Sequence, residues 1–140
     1  MARALPTVIN RAEYRVIYGD TDQMGVVYYA NYLRWFERGR SEFLRQIGLP
    51  YGTIEEEGFH FPVTEVNCRY ANSARYDDVI VIETELADLG RASLSFAYRI
   101  LCRSNNDELL ATGSTKHACI DRSGKVTRIP NLLKAALKTP

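Results

Sequence analysis

Apolar residues recur at helical spacing in one stretch of the chain and at strand spacing through most of the rest. Tyr29, Tyr32, Leu33, Phe36, Phe43, Leu44 and Ile47 follow at steps of three, four and seven, with Asn31, Arg34, Arg38, Glu42 and Arg45 filling the other side. Gly48 and Pro50 stop the pattern, so the spacing predicts a long helix at about 29–47. Gly39 lies on the apolar stripe, where a missing side chain lets the helix backbone press against a sheet and offsets a propensity cost of about 1 kcal/mol. Before the helix, Glu13–Tyr18 is rich in β-branched and aromatic residues and reads as a first strand ending at Gly19-Asp20. Beyond residue 60, strands are predicted at about 62–71, 78–89, 91–103 and 108–121, with turns at Asp88–Arg91 and Asn105–Asp107. Leu132, Leu133, Ala136 and Leu137 suggest a short C-terminal helix. A strand, a long helix and four strands joined by short turns imply an α+β domain, an antiparallel sheet of about five strands with the helix on one face. Such a sheet leaves edges to protect, which favours self-association.

Composition narrows the function classes. With 140 residues, of which 46% are hydrophobic, the chain reads as one domain spanning 1–140. Its 18 basic and 17 acidic residues nearly cancel, which argues against nucleic-acid binding through counterion release and against a polybasic membrane grip. Cys68, Cys102 and Cys119 form neither a disulfide framework nor a Cys-x-x-Cys zinc site; all three read as small buried hydrophobes in strands of a cytoplasmic protein. The N-terminal segment has no apolar signal-peptide core, and no run of 18 apolar residues crosses a membrane. One oddity remains: five of the nine tyrosines lie between Tyr14 and Tyr32, around Asp20-Thr-Asp-Gln-Met-Gly25.

Asp20-x-Asp22-x-x-Gly25 places two carboxylates just before a helix start. Three readings fit. As turn formers, the carboxylates shape the loop and favour the helix dipole. As chemistry, a carboxylate beside unpaired helix N–H groups combines a nucleophile or base with donors for a developing oxyanion, which suits attack on a thioester whose thiol leaving group has a pKa near about 8.5. As metal ligands, the pair has no histidine nearby to complete a site.

At these residues the sequence resembles the 4-hydroxybenzoyl-CoA thioesterase family of hotdog-fold acyl-CoA thioesterases, including its Tol-Pal-associated branch. The resemblance rests on Tyr18-Gly-Asp-Thr-Asp-Gln-Met-Gly-Val-Val-Tyr-Tyr-Ala-Asn-Tyr32, on the following Leu-Arg-Trp-Phe-Glu37, and on Ala74-Arg-Tyr-Asp-Asp78. It implies a long helix wrapped by a curved antiparallel sheet, a homodimer or homotetramer with sites at the dimer interface, and hydrolysis of an acyl-CoA without a further cofactor. The family's catalytic carboxylate maps onto Asp22, and Asp20 is left to shape the loop. The backbone N–H that polarises the thioester carbonyl maps onto Tyr29, assisted by the close backbone approach that Gly25 permits, with Tyr28 flanking. Glu37 occupies the helix position where the aromatic-specific member holds a ring hydroxyl with an acid. It reads equally as a structural carboxylate. Tyr28-Tyr29 replaces the Tyr-His pair of the Tol-Pal-associated branch, so Asp22 works without that imidazole.

Arg91 and Ser93 align approximately with coenzyme A contacts of the family, where Arg pairs with phosphate, and Asn72 and Ser73 are placed to touch the pantetheine arm. Exposed hairpin and turn chemistry also accounts for all four. His60 and His117 read as packed or loop histidines, Trp35 as packing at an interface, and Tyr14 and Tyr18 as strand packing. A hydratase needs a histidine on the helix, which this chain lacks. Two alternatives stay open: a non-catalytic acyl-thioester module, and an acyl-carrier-protein thioesterase whose acidic partner would meet Arg34, Arg38 and Arg45.

Overall fold

The computed structural model describes residues 8–138, and the signal-peptide reading of Met1–Thr7 lies outside them. In chain order the elements are β1 (Ile9–Arg15), a 3-10 turn (Tyr18–Asp20), α1 (Asn31–Gln46), α2 (Tyr51–Glu56), β2 (Val63–Tyr70), β3 (Val79–Leu89), β4 (Ser93–Cys102), a second 3-10 turn (Arg103–Asn105), β5 (Glu108–Ala118) and α3 (Asn131–Lys138). The strands form one antiparallel sheet in the order β1-β3-β4-β5-β2. The α+β reading and its five strands therefore hold. The simple succession of short turns does not, because β2 crosses to the far edge and pairs with β5 rather than with β3.

The first strand begins and ends earlier than its β-formers suggest. Pairing with β3 runs from Ile9 opposite Glu85 to Arg15 opposite Val79 and then stops. The Asp20 carboxylate accepts the Ile17 N–H at 2.9 Å and folds Tyr18–Asp20 into a tight turn. Tyr18 consequently is 79% exposed, edge-on to Tyr76, and does not pack in a strand.

The long helix carries its apolar stripe onto the sheet. Phe36 stacks on Tyr98 with ring centres 4.2 Å apart, and Phe43 meets Phe96 edge-on. Between them Gly39 is obligatory on packing grounds: a Cβ there would stand 2.2 Å from Thr84 Oγ1 and 2.8 Å from Ile82 Cγ2. Trp35, expected at an interface, is instead enclosed in the protomer core between Tyr14 and Tyr32. Cys102 and Cys119 are buried, with Cys119 just past the end of β5, while Cys68 is half-buried. The short helix α2, whose N-cap is Pro50, was not legible in the apolar spacing; its single buried residue is Ile54.

β2 is an edge strand with an irregularity that decides which way it faces. Val63 pairs with His117 and Glu65 with Lys116, so Thr64 is an inserted bulge residue. After it, Val66, Cys68 and Tyr70 lie opposite Thr115, Gly113 and Ala111. Cross-strand partners share a face, so Val63, Val66, Cys68 and Tyr70 all point to the helix side. Yet Val63, Val66 and Tyr70 remain 46–47% exposed.

Candidate active site

The loop between the 3-10 turn and α1 is a small closed frame. A bridge between Thr21 and Val27, with Asp22 N–H donating to Val26 C=O at 2.9 Å, folds Asp22–Val26 into a miniature hairpin. Gly25 closes its tip at φ +80°. No protein atom lies within 4 Å of where a Gly25 Cβ would stand, and the left-handed backbone by itself requires glycine here. Tyr28 N–H and Asn31 Nδ2 both donate to the Asp20 carbonyl, at 2.9 Å each, and tie the frame to the helix start.

This frame treats the two carboxylates differently. Asp20 Oδ2 accepts the Tyr14 hydroxyl at 2.7 Å as well as the Ile17 N–H, so its charge is spent on holding the turn. The Asp22 carboxylate accepts one loop donor, the Met24 N–H on Oδ1 at 2.9 Å, which orients it and leaves Oδ2 without a protein partner among the described residues. Helix α1 begins at Asn31, two residues later than predicted. Asn31 N–H donates to Tyr28 C=O and Tyr32 N–H to Tyr29 C=O, while the N–H groups of Tyr29 and Ala30 have no acceptor among the described residues. Tyr28 and Tyr29 are exposed beside them, with ring centres 4.7 Å apart, and their contact raises the Tyr28 phenol above its usual value, keeping it protonated.

The segment after β2 docks on this loop. Val27 N–H donates to Ala74 C=O at 2.8 Å, and Ala74 N–H to the buried Tyr32 hydroxyl at 3.2 Å. Asn72 and Ser73 therefore stand at the same end of the molecule as Asp22, but Asn72 Nδ2 is engaged with Leu109 C=O at 2.8 Å. Arg91 and Ser93 are not brought there. They follow the far end of β3, whose 11 residues span about 35 Å from the end nearest the loop. Glu37 is exposed on α1 and lines a cavity of about 900 Å³ that runs along the helix from Asp20 and Asn31 to Phe61, Val63, Phe96 and His117.

A chain of hydrogen bonds runs behind that cavity and reaches its lining at Arg40, His117 and Phe61. Arg40 Nη1 lies 3.3 Å from the Tyr98 hydroxyl, Tyr98 lies 2.6 Å from Thr115 Oγ1, Thr115 lies 2.8 Å from His117 Nε2, and His117 Nδ1 lies 2.9 Å from Phe61 C=O. Arginine only donates and a carbonyl only accepts, which fixes the two end links: Arg40 donates to Tyr98, and the Nδ1–H to Phe61. Burial favours the neutral imidazole, pushing the His117 pKa below the usual 6.5, with the Arg40 charge acting in the same direction. In that form Nε2 accepts from Thr115 and Thr115 from Tyr98. Because the folded form binds the proton more weakly, the unfolded chain takes it up first as pH falls below 6.5. The stability contributed by this group is present above that pH and lost progressively below it. Melting curves between about pH 7 and pH 5 will show the decline, and His117→Gln will flatten it.

The model of the thioesterase-like superfamily matches residues 16–137, from the strand end before Asp20 through to α3. The chain belongs to that superfamily. It is similar to the acyl-CoA thioesterase YbgC of Haemophilus influenzae, 37% identical over 124 residues that cover 87% of this chain and 89% of that one. Similarity to the acyl-CoA thioester hydrolase YbgC of Escherichia coli O6:H1 is 36% over 115 residues, covering 82% and 84%. The crystal structure of a DHNA-CoA thioesterase from Staphylococcus aureus superposes with a TM-score of 0.83 at 29% identity, over 91% of this chain and 87% of that one. The helix wrapped by a single antiparallel sheet is the hotdog fold.

Within this thioesterase-superfamily fold, two functional candidates escaped sequence reading. Tyr70, on the edge strand, donates its hydroxyl to Tyr29 C=O at 2.8 Å and stands edge-on to the Tyr29 and Tyr32 rings. Burial raises its phenol pKa well above the ordinary value, so it remains a donor. Arg40 is the other, a polar helix position to which the apolar spacing assigns no role. Only the Tyr70 ring gave a signal, as the single aromatic of β2.

Proposed function

We propose that the protein is a thioester hydrolase that cleaves an acyl-CoA to a carboxylic acid and free coenzyme A, with Asp22 as the acting carboxylate and the Tyr29 N–H as the carbonyl-polarising donor. The observation that supports this reading is the division of labour in the loop: Asp20 is consumed by the turn, whereas Asp22 is oriented with one oxygen free beside unpartnered N–H groups. Negative charge grows on the thioester oxygen during attack, and a donor already aimed at that position is worth about 3–4 kcal/mol. The thiolate departs without strong acid assistance. Solvent oxygen labelling under single turnover separates the two roles of Asp22, since label enters its carboxylate only if an anhydride forms.

The site is completed, on this reading, by a second copy. The half-exposed apolar row on β2 and its unpaired edge favour antiparallel pairing of β2 with the β2 of a twofold-related protomer. That symmetry sets the Val63 end of one strand against the Tyr70 end of the other. The Asp22 loop of each protomer then faces the Phe61–Val63 end of its partner's cavity, and the partner's Arg91 and Ser93 stand at the same end of the joint sheet, where they could reach the coenzyme. Asn72, Ser73, Gly25 and Tyr28 border the thioester from the same protomer. Glu37 borders the acyl side.

A panel of short, medium, long and aromatic acyl-CoAs, with acyl carrier protein thioesters alongside, tests this by free-thiol release. Release from at least one acyl-CoA is expected. Silence across the panel moves the assignment to a binding module. Tyr70→Phe keeps the rings and removes the bond to Tyr29, so kcat is expected to fall about five- to tenfold with KM unchanged.

A further inference from the structure

We propose that Arg40 is a specificity-determining residue that binds a carboxylate at the far end of the acyl group, so that the preferred substrates are ω-carboxyacyl thioesters. This rests on the thioesterase reading and on the paired arrangement above. Arg40 is half-buried on α1 in the cavity wall, its neighbours there including Leu44, Phe61, Leu94 and Phe96. Its one hydrogen bond is to the Tyr98 hydroxyl, and no carboxylate of the described residues lies within ion-pair distance of it; Glu37, one turn away in the same cavity, does not pair with it. A guanidinium has five N–H donors in a rigid fork, so most of the fork is left over. A half-buried guanidinium with unused donors and no carboxylate partner is suited to a counter-ion that arrives with the ligand.

The anchoring makes this a built feature. The chain Arg40–Tyr98–Thr115–His117–Phe61 runs through α1, β4, β5 and the segment before β2, and Tyr98, Thr115 and His117 are each at most 3% exposed. With the imidazole neutral, the Tyr98 oxygen is left to accept from Arg40, so the network holds one guanidinium donor in place on the cavity lining. The lining is mixed, with Leu44, Phe61, Leu94 and Phe96 suited to an acyl chain beside the charged Glu37 and Arg38. A carboxylate supplies two acceptors matched to the fork.

The test compares glutaryl-, adipoyl- and suberoyl-CoA with pentanoyl-, hexanoyl- and octanoyl-CoA, pairs of equal chain length that differ only at the far end. In the wild type kcat/KM is expected to favour the carboxylated member of at least one pair by about tenfold or more, and Arg40→Gln is expected to collapse that ratio towards one. Binding to Asp22→Asn with and without Arg40→Gln, followed by calorimetry, reads the same preference with no hydrolysis required. A failure of catalysis is thereby distinguished from a failure of recognition. The proposal is overturned if the ratio is the same in both proteins, if Arg40→Gln weakens free coenzyme A as much as the carboxylated thioester, or if it shifts the sedimenting mass and lowers both members of a pair equally. The last result would make Arg40 an intersubunit ion-pair partner.

Discussion

Asp22→Asn will lower thioester hydrolysis by about 10²–10⁴-fold, the range a positioned acid–base or nucleophilic group supplies, while the protein melts as the wild type does. The amide oxygen can still accept the Met24 N–H that now lies 2.9 Å from Oδ1, so the loop keeps its turn and only the charge is lost. Stopped thiol-release assays paired with thermal melts check both halves. Asp20→Ala gives the contrasting pattern: it strips the acceptor from the Tyr14 hydroxyl and the Ile17 N–H, so stability falls first, by about 1–3 kcal/mol. Hydrolysis at the wild-type rate by Asp22→Asn would remove it from the chemistry.

The second large effect concerns folding. Gly113 lies in β5 beneath the Phe36 ring and opposite Cys68 of β2. A Cβ there would stand 2.4 Å from Phe36 Cζ and 2.6 Å from the Asn67 carbonyl oxygen. The ring has little freedom to retreat because it is stacked on Tyr98, and the carbonyl belongs to the neighbouring strand. Gly113→Ala is therefore expected to cost about 3 kcal/mol or more, a fall in Tm of about 10 °C, by prising β2 from β5. Urea melts with an unchanged m-value would show a loss of stability rather than a different unfolded state. Because β2 carries Tyr70, thiol release should fall in the same variant.

Local pattern carried most of the architecture. The helix was legible because its stripe is long and strongly periodic, and Gly39 because a glycine on that stripe needs a packing reason, which Thr84 and Ile82 provide. The β3-β4-β5 order followed from two short turns. The position of β2 did not, since pairing with β5 joins residues about 50 apart in sequence and no local signal encodes it. Tyr18 misled for a related reason: its aromatic character suits a strand, but the Asp20 carboxylate ends the strand first. At the site, the motif offered two carboxylates. Only the hydrogen bonds from Tyr14 and Ile17 separate the one that builds from the one left available. The link between Arg40 and His117 was not legible, because it passes through the side chains of Tyr98 on β4 and Thr115 on β5.

The extra residue at Thr64 works as a phase corrector. Counted along the sequence, Val63 and Val66 are an odd number of steps apart and belong on opposite faces of a regular strand; the bulge restores them to one side. Deleting Thr64 removes the bulge together with its extra residue, and Val63, then two steps from Val66, stays on the cavity side of a regular strand, with the chain leading back to Phe61 and its grip on His117 kept in place. A deletion at this one position should thus be tolerated, as should substitutions of Thr64, whose hydroxyl makes only a 3.2 Å contact to Lys116 C=O; what the edge cannot absorb is a straightened strand that keeps all its residues.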